Sequence, residues 1–212
     1  MIVNEIVAIV IGCLLGSIPS AYIAARLATG KDIRQMGGGN VGALNTFKEV
    51  GKKAGVAVLL ADVGKGVAAV AIAYWLLDVP QLFVVLAGLA AVVGHNWSIF
   101  LKFSGGKGMG TTVGVLSTLM PLYGYWQGLP IFLGIILVPL IITHNVALST
   151  GIALFCLPFI AWLGMKSGLF IIFTIILGLI IGIKFLPTAR AAWAKSEDKK
   201  SFIFDRGQRN KR

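Results

Sequence analysis

Apolar residues run in long blocks along most of this 212-residue chain. The first block, from Ile6 to Ala25, contains no charged residue and is long enough to cross a hydrocarbon layer of about 30 Å as a helix. Backbone polar groups must be satisfied internally at membrane depth, so helices are the expected form of such spans. The blocks predict spans at residues 3–27, 54–77, 80–100, 109–125, 127–143, 146–164 and 168–186. The pattern predicts an all-α, polytopic membrane protein, a bundle of seven transmembrane helices.

Composition supports this class, because 57% of the residues are hydrophobic and only 13% are charged. Soluble domains carry about 25% charged residues. We predict one membrane domain over residues 1–194 and a basic tail over residues 195–212. The fifth span is the least regular, since Pro130 and Pro139 interrupt its apolar run.

The distribution of lysine and arginine predicts how the bundle is oriented. Basic residues concentrate between spans one and two, between spans three and four, and in the tail. With seven spans these segments lie on one side of the membrane, and Lys166 is the only basic residue in the predicted loops of the opposite side. The positive-inside rule makes the basic side cytoplasmic. We therefore expect the N-terminus outside and the C-terminus in the cytoplasm.

Two glycine-rich stretches lie on the predicted cytoplasmic side, "GGGNVGALN" at residues 37–45 and "SGGKGMGTT" at residues 104–112. Glycine lets a backbone approach a ligand closely, and successive N–H groups form anion-binding hollows. With Lys48 and Lys107 beside them, the stretches predict a site for phosphate groups. We predict contacts to phosphate from Gly39, Asn40, Gly42, Asn45, Gly105, Gly106, Gly108 and Thr111. The alternative is that the glycines form plain turns and the lysines set topology or contact lipid headgroups.

Neither stretch matches a nucleotide-binding motif in its context. Gly37, Gly39 and Gly42 fit the G-x-G-x-x-G spacing, but that motif needs a preceding strand. Here a membrane helix and a basic connector precede it. In the second stretch Gly108 follows Lys107, where a P-loop requires Ser or Thr.

Polar residues inside the predicted spans indicate a functional interior. Asp62 and Lys65 are three residues apart on one helix face, which predicts an ion pair that supports the loops. His95, at the end of the third span, is a candidate general base or a structural cap, whereas His144 is expected to be structural. Ser17 in the first span is placed with Asp62 and Lys65 as a supporting residue. Two His and two Cys residues are too few and too scattered for a metal site, so we expect no metal or cofactor.

Three segments carry a family resemblance. They read "GSIPSAYIAARLATGKDIRQMGGGNVGALN" from residue 16, "DVGKG" from residue 62 and "GHNWSIFLKFSGGKGMGTT" from residue 94. With the seven-span layout they resemble the bacterial acyl-phosphate-dependent glycerol-3-phosphate acyltransferases. The resemblance implies transfer of a fatty acyl group from acyl phosphate to the 1-hydroxyl of glycerol 3-phosphate. It also implies lysophosphatidic acid as product, the first step of phospholipid synthesis, and a bacterial inner-membrane enzyme whose active site faces the cytoplasm.

The implied chemistry requires no protein nucleophile, because an acyl phosphate is already activated. The enzyme must orient two reactants and neutralise charge on the leaving phosphate. Lys107 and Lys48 are the implied catalytic cations, and His95 or the substrate's own phosphate is the implied proton acceptor. Backbone N–H groups implied to hold the phosphate lie near Gly39, Gly42 and Gly106.

The chain departs from the family's motifs at several positions. Where the motifs have Ser, Thr, Arg and Pro, this sequence has Gly38, Leu44, Lys48 and Ser98. The third motif has a His and an Asn near the end of the last helix, whereas residues 183–193 read "IKFLPTARAAW". Lys184 and Arg190 keep only the basic character there. The chain is therefore a divergent member or a paralogue with changed activity.

Two other classes of function remain open on the sequence. A transporter or channel for small organic phosphates needs a polar path to the far side, where the predicted loops are short. A non-catalytic adaptor would use the basic tail to bind anionic lipid or nucleic acid, although topology and headgroup contact explain that tail more simply. The expected partners are the two small-molecule substrates and membrane lipids, with no nucleic acid, and we expect a monomer.

Overall fold

The computed structural model describes residues 2–195 of the chain. Its helices are α1 (Ile2–Ser17), α2 (Ser20–Thr29), α3 (Ala43–Glu49), α4 (Lys52–Ala71), α5 (Gln81–Asn96), α6 (Met109–Leu122), α7 (Gly128–Thr143), α8 (Val146–Met165) and α9 (Gly168–Lys195). Helix α4 continues into a π-helical stretch, Ile72–Leu76, and 3-10 turns cover Ile33–Gln35 and Ile99–Leu101. No strand occurs within residues 2–195, which confirms the all-α prediction. The chain divides after Leu119 into two compact units.

Five helical stretches are long and apolar enough to cross a membrane. They are Ile2–Thr29, Lys52–Leu76, Gln81–Leu101, Val146–Met165 and Gly168–Ala191. The other two predicted spans are shorter, since α6 has 14 residues and α7 has 16. At the usual helical rise they extend about 21 and about 24 Å, less than a hydrocarbon core of about 30 Å. The multi-pass membrane class is confirmed with five full-length stretches in residues 2–195, and the predicted tail beyond Lys195 lies outside the described residues.

The first predicted span, residues 3–27, is two helices rather than one. Helix α1 ends at Ser17 and α2 begins at Ser20, so Ile18 and Pro19 interrupt the run. Proline has no backbone N–H and cannot continue a helix, but it is well tolerated just before a new one. The uncharged run predicted one helix because mean hydropathy does not register a single proline.

Hydropathy also did not predict the short helix α3, which begins within the first glycine-rich stretch. Gly42 precedes it in extended conformation, and the Gly42 carbonyl accepts a hydrogen bond from the Thr46 N–H at 3.1 Å. Gly55 in α4 lies so close to Phe47 in α3 that a Cβ at Gly55 would come within 2.5 Å of the Phe47 Cβ. This contact packs α3 onto α4, the helix that carries Asp62.

Small residues let the helices of the first unit approach closely. A Cβ at Gly12 or Gly16 in α1 would collide with the backbone of α5 at Ala87 or Ala91. A Cβ at Gly94 in α5 would in turn meet the α1 backbone. Close backbone approach of this kind drives helix association where lipid replaces water. Gly12, Gly16 and Gly94 therefore serve the packing of α1 against α5.

In the second unit α7, α8 and α9 pack in chain order. Their buried side chains include Phe132, Leu157 and Leu177. His144 ends α7 with a left-handed φ of 56°, and its N–H donates to the Leu140 carbonyl at 2.9 Å. Asn145 then begins α8 by accepting from the Leu148 N–H at 3.0 Å. His144 is therefore placed at a helix end, as the sequence predicted.

Candidate active site

A small cleft lies in the first unit, at the interruption between α1 and α2. Side chains and backbone from α4, α5 and both glycine-rich stretches meet there. The lining residues are Gly16, Ser17, Ile18, Pro19, Ser20, Val41, Asp62, Lys65, His95, Ser98 and Gly105. The sequence predicted five of these as site residues: Ser17, Asp62, Lys65, His95 and Gly105. The fold therefore brings together candidates that lie up to 88 residues apart in the chain.

Asp62 is the centre of a buried polar network in this cleft. Its Oδ1 lies 2.9 Å from the Lys65 Nζ, which confirms the predicted ion pair. The Ser20 hydroxyl donates to the same oxygen at 3.1 Å, and the His95 Nδ1 lies 3.5 Å from it. Three groups therefore surround one carboxylate oxygen, and they compensate the cost of burying its charge. The network joins α2, α4 and α5.

His95 also contacts the second glycine-rich stretch. The Gly106 N–H donates to the His95 carbonyl at 3.0 Å. A Cβ at Gly106 would collide with the His95 Nε2 and come within 2.5 Å of the Val41 carbonyl oxygen. Gly106 is thus the point where α5 and both glycine-rich stretches meet. The His95 ring therefore lies between Asp62, on its Nδ1 side, and Gly106, on its Nε2 side.

Several of the glycines have a packing or hydrogen-bonding role within the protein itself. A Cβ at Gly105 would collide with the His95 carbonyl oxygen, so Gly105 and Gly106 are required for packing within the protein. The N–H groups of Gly39, Gly42 and Gly106 were expected to donate to phosphate. Each instead donates to a carbonyl of the chain at 3.0–3.1 Å. Positive φ is found at Gly39 (69°) and Gly108 (78°).

Asn45 shapes the first stretch from inside. Its side-chain Nδ2 donates to the carbonyls of Met36 at 3.0 Å and Asn40 at 3.1 Å. Its Oδ1 accepts from the Gly38 N–H at 3.2 Å. Both ends of this buried amide are therefore engaged by the loop itself. Asn45 thus has a structural role in the stretch, and Asn40 is its half-buried amide.

An ion pair between buried Asp32 and exposed Arg34 holds the segment that leads into the same stretch. The Asp32 carboxylate accepts from the Arg34 backbone N–H at 3.0 Å and from the Arg34 guanidinium at 2.6 Å. The side-chain hydrogen bond from Arg34 holds the pKa of Asp32 below its usual value. This turn fixes the path of the backbone between α2 and the first glycine-rich stretch.

Lys107 directly precedes Gly108 and the N-terminus of α6. It is half-buried, and desolvation lowers the pKa of its ammonium group from the ordinary value. A lysine held partly out of water beside a helix N-terminus is suited to an anionic ligand. Lys102, two positions before the stretch, is exposed and adopts a left-handed φ of 53°.

Lys48 and Thr111, two further predicted site residues, also lie outside the cleft lining. Lys48 is on the exposed side of α3. Thr111, in the first turn of α6, is fully buried, and its hydroxyl has no hydrogen-bond partner within the described residues. The same holds for Thr112 and for both side-chain polar atoms of Asn96.

Sequence reasoning missed the parts played by Ser20 and Ser98, which line the cleft through hydroxyl groups. Pro19 was the available signal, because a proline in an apolar run frees backbone groups that nearby polar side chains must satisfy. Ser20 follows it directly. Ser98 lies 79 positions after Pro19, and its pairing with the interruption depends on tertiary packing.

Comparison with known proteins identifies the chain's relatives. The model of the family described as "Glycerol-3-phosphate acyltransferase" matches residues 6–194. The chain belongs to this family. It is 50% identical over 201 residues to glycerol-3-phosphate acyltransferase 1 of Dehalococcoides mccartyi, covering 95% of this chain and 97% of that one. Glycerol-3-phosphate acyltransferase 2 of the same strain is 37% identical over 186 residues, covering 88% and 86%.

Two solved structures share the family's architecture. Both are crystal structures of PlsY (YgiH), described as an integral membrane glycerol 3-phosphate acyltransferase. The glycerol 3-phosphate form has a TM-score of 0.81 and 27% identity, covering 90% of this chain and 92% of that one. The lysophosphatidic acid form has a TM-score of 0.77 and 25% identity over the same shares. The resemblance inferred from the glycine-rich motifs is therefore confirmed, and with it the membrane fold.

Proposed function

We propose that this chain transfers a fatty acyl group from acyl phosphate to the 1-hydroxyl of glycerol 3-phosphate and releases lysophosphatidic acid. Membership of the acyltransferase family supports the reaction class, and relatives in glycerol 3-phosphate and lysophosphatidic acid forms support the acceptor and product. The observation that carries the proposal is the meeting of both glycine-rich stretches with His95 at Gly106, beside the partly desolvated Lys107.

In the proposed reaction the 1-hydroxyl attacks the acyl carbonyl and phosphate leaves. The Lys107 ammonium and the first-turn N–H groups of α6 neutralise the charge that develops on the leaving phosphate. The N–H groups of residues 109–111 precede the first bonded one, that of Thr112, and have no acceptor in a regular helix. His95 is engaged with Asp62 and Gly106, so we assign it to holding the second stretch. The phosphate oxygens then accept the hydroxyl proton.

Residues outside the cleft lining have proposed roles in substrate capture. Asn40 lies in the first stretch, and exposed Lys48 lies just after it on α3. There they attract and orient the phosphate of glycerol 3-phosphate. Gly39, Gly42, Asn45, Gly105 and Gly108 set the backbone of the two stretches. Ser17, Asp62 and Lys65 hold the helices that carry them. Thr111 offers a buried hydroxyl next to the α6 N-terminus.

The decisive test is an assay of the purified protein with acyl phosphate and glycerol 3-phosphate. We expect equal amounts of lysophosphatidic acid and inorganic phosphate. A well-folded protein without turnover would instead indicate a paralogue with changed activity, in line with the missing His and Asn of the third motif.

The donor supplies a separate prediction. We expect acyl phosphate to support turnover without coenzyme A or a carrier protein, because the loops between the described helices are short and offer little surface for a carrier. Parallel assays with acyl phosphate and with acyl-coenzyme A of the same chain length measure this. Equal or faster turnover with acyl-coenzyme A would contradict it.

We further propose seven spans in a bacterial inner membrane, with the N-terminus outside, the C-terminus inside and the active site facing the cytoplasm. The five full-length stretches and two shorter apolar helices support this arrangement, as does the one-sided distribution of basic residues. The proposed working form is a monomer in contact with lipid and its two substrates, without nucleic acid.

Reporter fusions test the orientation. A reporter at the C-terminus is expected to be cytoplasmic and one at the N-terminus to be external, because an odd number of spans separates the ends. Fusions within the loop after α5 provide a control, since that loop is also expected inside. Both ends on one side would show that α6 or α7 does not cross the membrane.

A further inference from the structure

The interruption between α1 and α2 exposes consecutive backbone carbonyls inside the first unit. Side chains from two other parts of the chain reach them. The Lys65 Nζ donates to the Ile18 carbonyl at 3.1 Å, and the Ser98 hydroxyl donates to the Ser17 carbonyl at 2.5 Å. A carbonyl without a donor is costly in an environment without water, so each bond stabilises the interruption.

Ser98 serves two parts of the structure at once. Its own carbonyl accepts from the Leu101 N–H at 3.2 Å and the Phe103 N–H at 2.8 Å, which closes the turn that leads into the second glycine-rich stretch. Its hydroxyl does not cap that turn and donates instead to the Ser17 carbonyl. The residue is only 2% exposed. It therefore links the turn directly to the broken helix.

The segment between Ser98 and Lys107 is tied down at both ends. At one end the Ser98 hydroxyl donates to the Ser17 carbonyl. At the other the Gly106 N–H donates to the His95 carbonyl at 3.0 Å. Lys107 follows Gly106 directly. The position of its ammonium group thus depends on both ties, although Ser98 itself lies nine residues away.

We propose that Ser98 is a positioning residue for acyl transfer, whose hydroxyl fixes the second glycine-rich stretch on the broken helix and so places Lys107 against the leaving phosphate. This inference rests on the proposed function. Ser98 touches no reacting atom in it and acts through the stretch. The loss of its hydroxyl therefore weakens charge stabilisation in the transition state more than it weakens substrate binding.

Four variants of the full-length protein test the proposal. Ser98→Ala and Ser98→Pro both remove the hydroxyl, and Pro suits the φ of −59° at this position. Ser98→Thr keeps a hydroxyl. The matched control is Ser117→Ala, because the Ser117 hydroxyl also bonds a carbonyl, that of Gly114 at 2.8 Å, but within its own helix.

We expect kcat to fall about tenfold in Ser98→Ala and Ser98→Pro, with KM for glycerol 3-phosphate changing by less than about twofold. Ser98→Thr should stay within about threefold of the wild-type kcat, and Ser117→Ala should match the wild type. Hydrogen exchange should accelerate over residues 98–108 in Ser98→Ala and remain unchanged over residues 146–165. A change in thermal stability alone would not produce this split between kcat and KM.

Several results would overturn the inference. They are wild-type kcat in Ser98→Ala, equal losses in Ser98→Ala and Ser98→Thr, or failure of Ser98→Ala to fold, which would assign the hydroxyl to folding alone. An inactive wild-type protein would instead contradict the proposed function. The activity of the wild type therefore distinguishes failure of the proposed function from failure of the inference about Ser98.

Discussion

Gly106→Ala is expected to reduce acyl transfer by about 100-fold, the scale on which a displacement of about 1 Å acts on a reacting group. The added Cβ would collide with the His95 Nε2 and lie 2.5 Å from the Val41 carbonyl oxygen. One of these neighbours is backbone, so the clash cannot be relieved by a rotamer change alone. The second stretch must then move away from α5, and Lys107 moves with it. Steady-state assays of the purified variant measure the loss.

Gly38→Ala is the matched control for that substitution. Gly38 belongs to the other glycine-rich stretch, but a Cβ there meets no heavy atom within 4 Å. Its φ is not positive, so alanine suits the backbone. We expect activity within about twofold of wild type. Equal losses at Gly38 and Gly106 would show that the glycines act through general flexibility and not through the packing at His95.

Lys107→Ala is expected to slow acyl transfer at least about tenfold. A hydrogen bond between a charged donor and phosphate contributes about 1.5–3 kcal/mol, and each 1.36 kcal/mol corresponds to about a factor of ten in rate. The ammonium group is half-buried, so solvent screens it less than a surface charge. Kinetic assays with both substrates, alongside thermal unfolding, separate lost catalysis from lost folding.

Lys102→Ala controls for the removal of one positive charge from the same loop, just before the second stretch. Lys102 is exposed, and its replacement leaves the packing at Gly106 intact. We expect less than about a twofold change in rate. Similar losses in both lysine variants, or full activity in a folded Lys107→Ala protein, would favour the simpler interpretation in which the lysines set topology.

Local patterns were sufficient for the membrane class and for most helices. Apolar blocks located the helices because a span must be apolar over its whole length. The spacing of Asp62 and Lys65 was sufficient for their ion pair, since residues three apart share a helix face. The glycine-rich motifs were sufficient for the family, because they are read residue by residue. Each of these inferences depends on neighbours in the chain.

Tertiary packing decided what local patterns leave open. Hydropathy did not detect the interruption at Pro19 or the short helix α3, because it averages over single breaking residues and over short elements. The sequence also did not show the packing role of Gly105 and Gly106. A side chain at either position would clash with His95, which lies ten positions before Gly105 and eleven before Gly106. At Gly106 it would also clash with Val41, more than sixty positions away.

The hydrogen-bonding roles of the site residues were decided in the same way. Nothing local to Ser98 shows that its hydroxyl meets the Ser17 carbonyl, since 81 positions separate the two residues. Asn45 could be assigned to a ligand from its residue type, yet the folded loop uses both ends of its amide. The sequence by itself determined which residues are available to the site. Only the fold determined which donors and acceptors satisfy each other and which remain for a substrate.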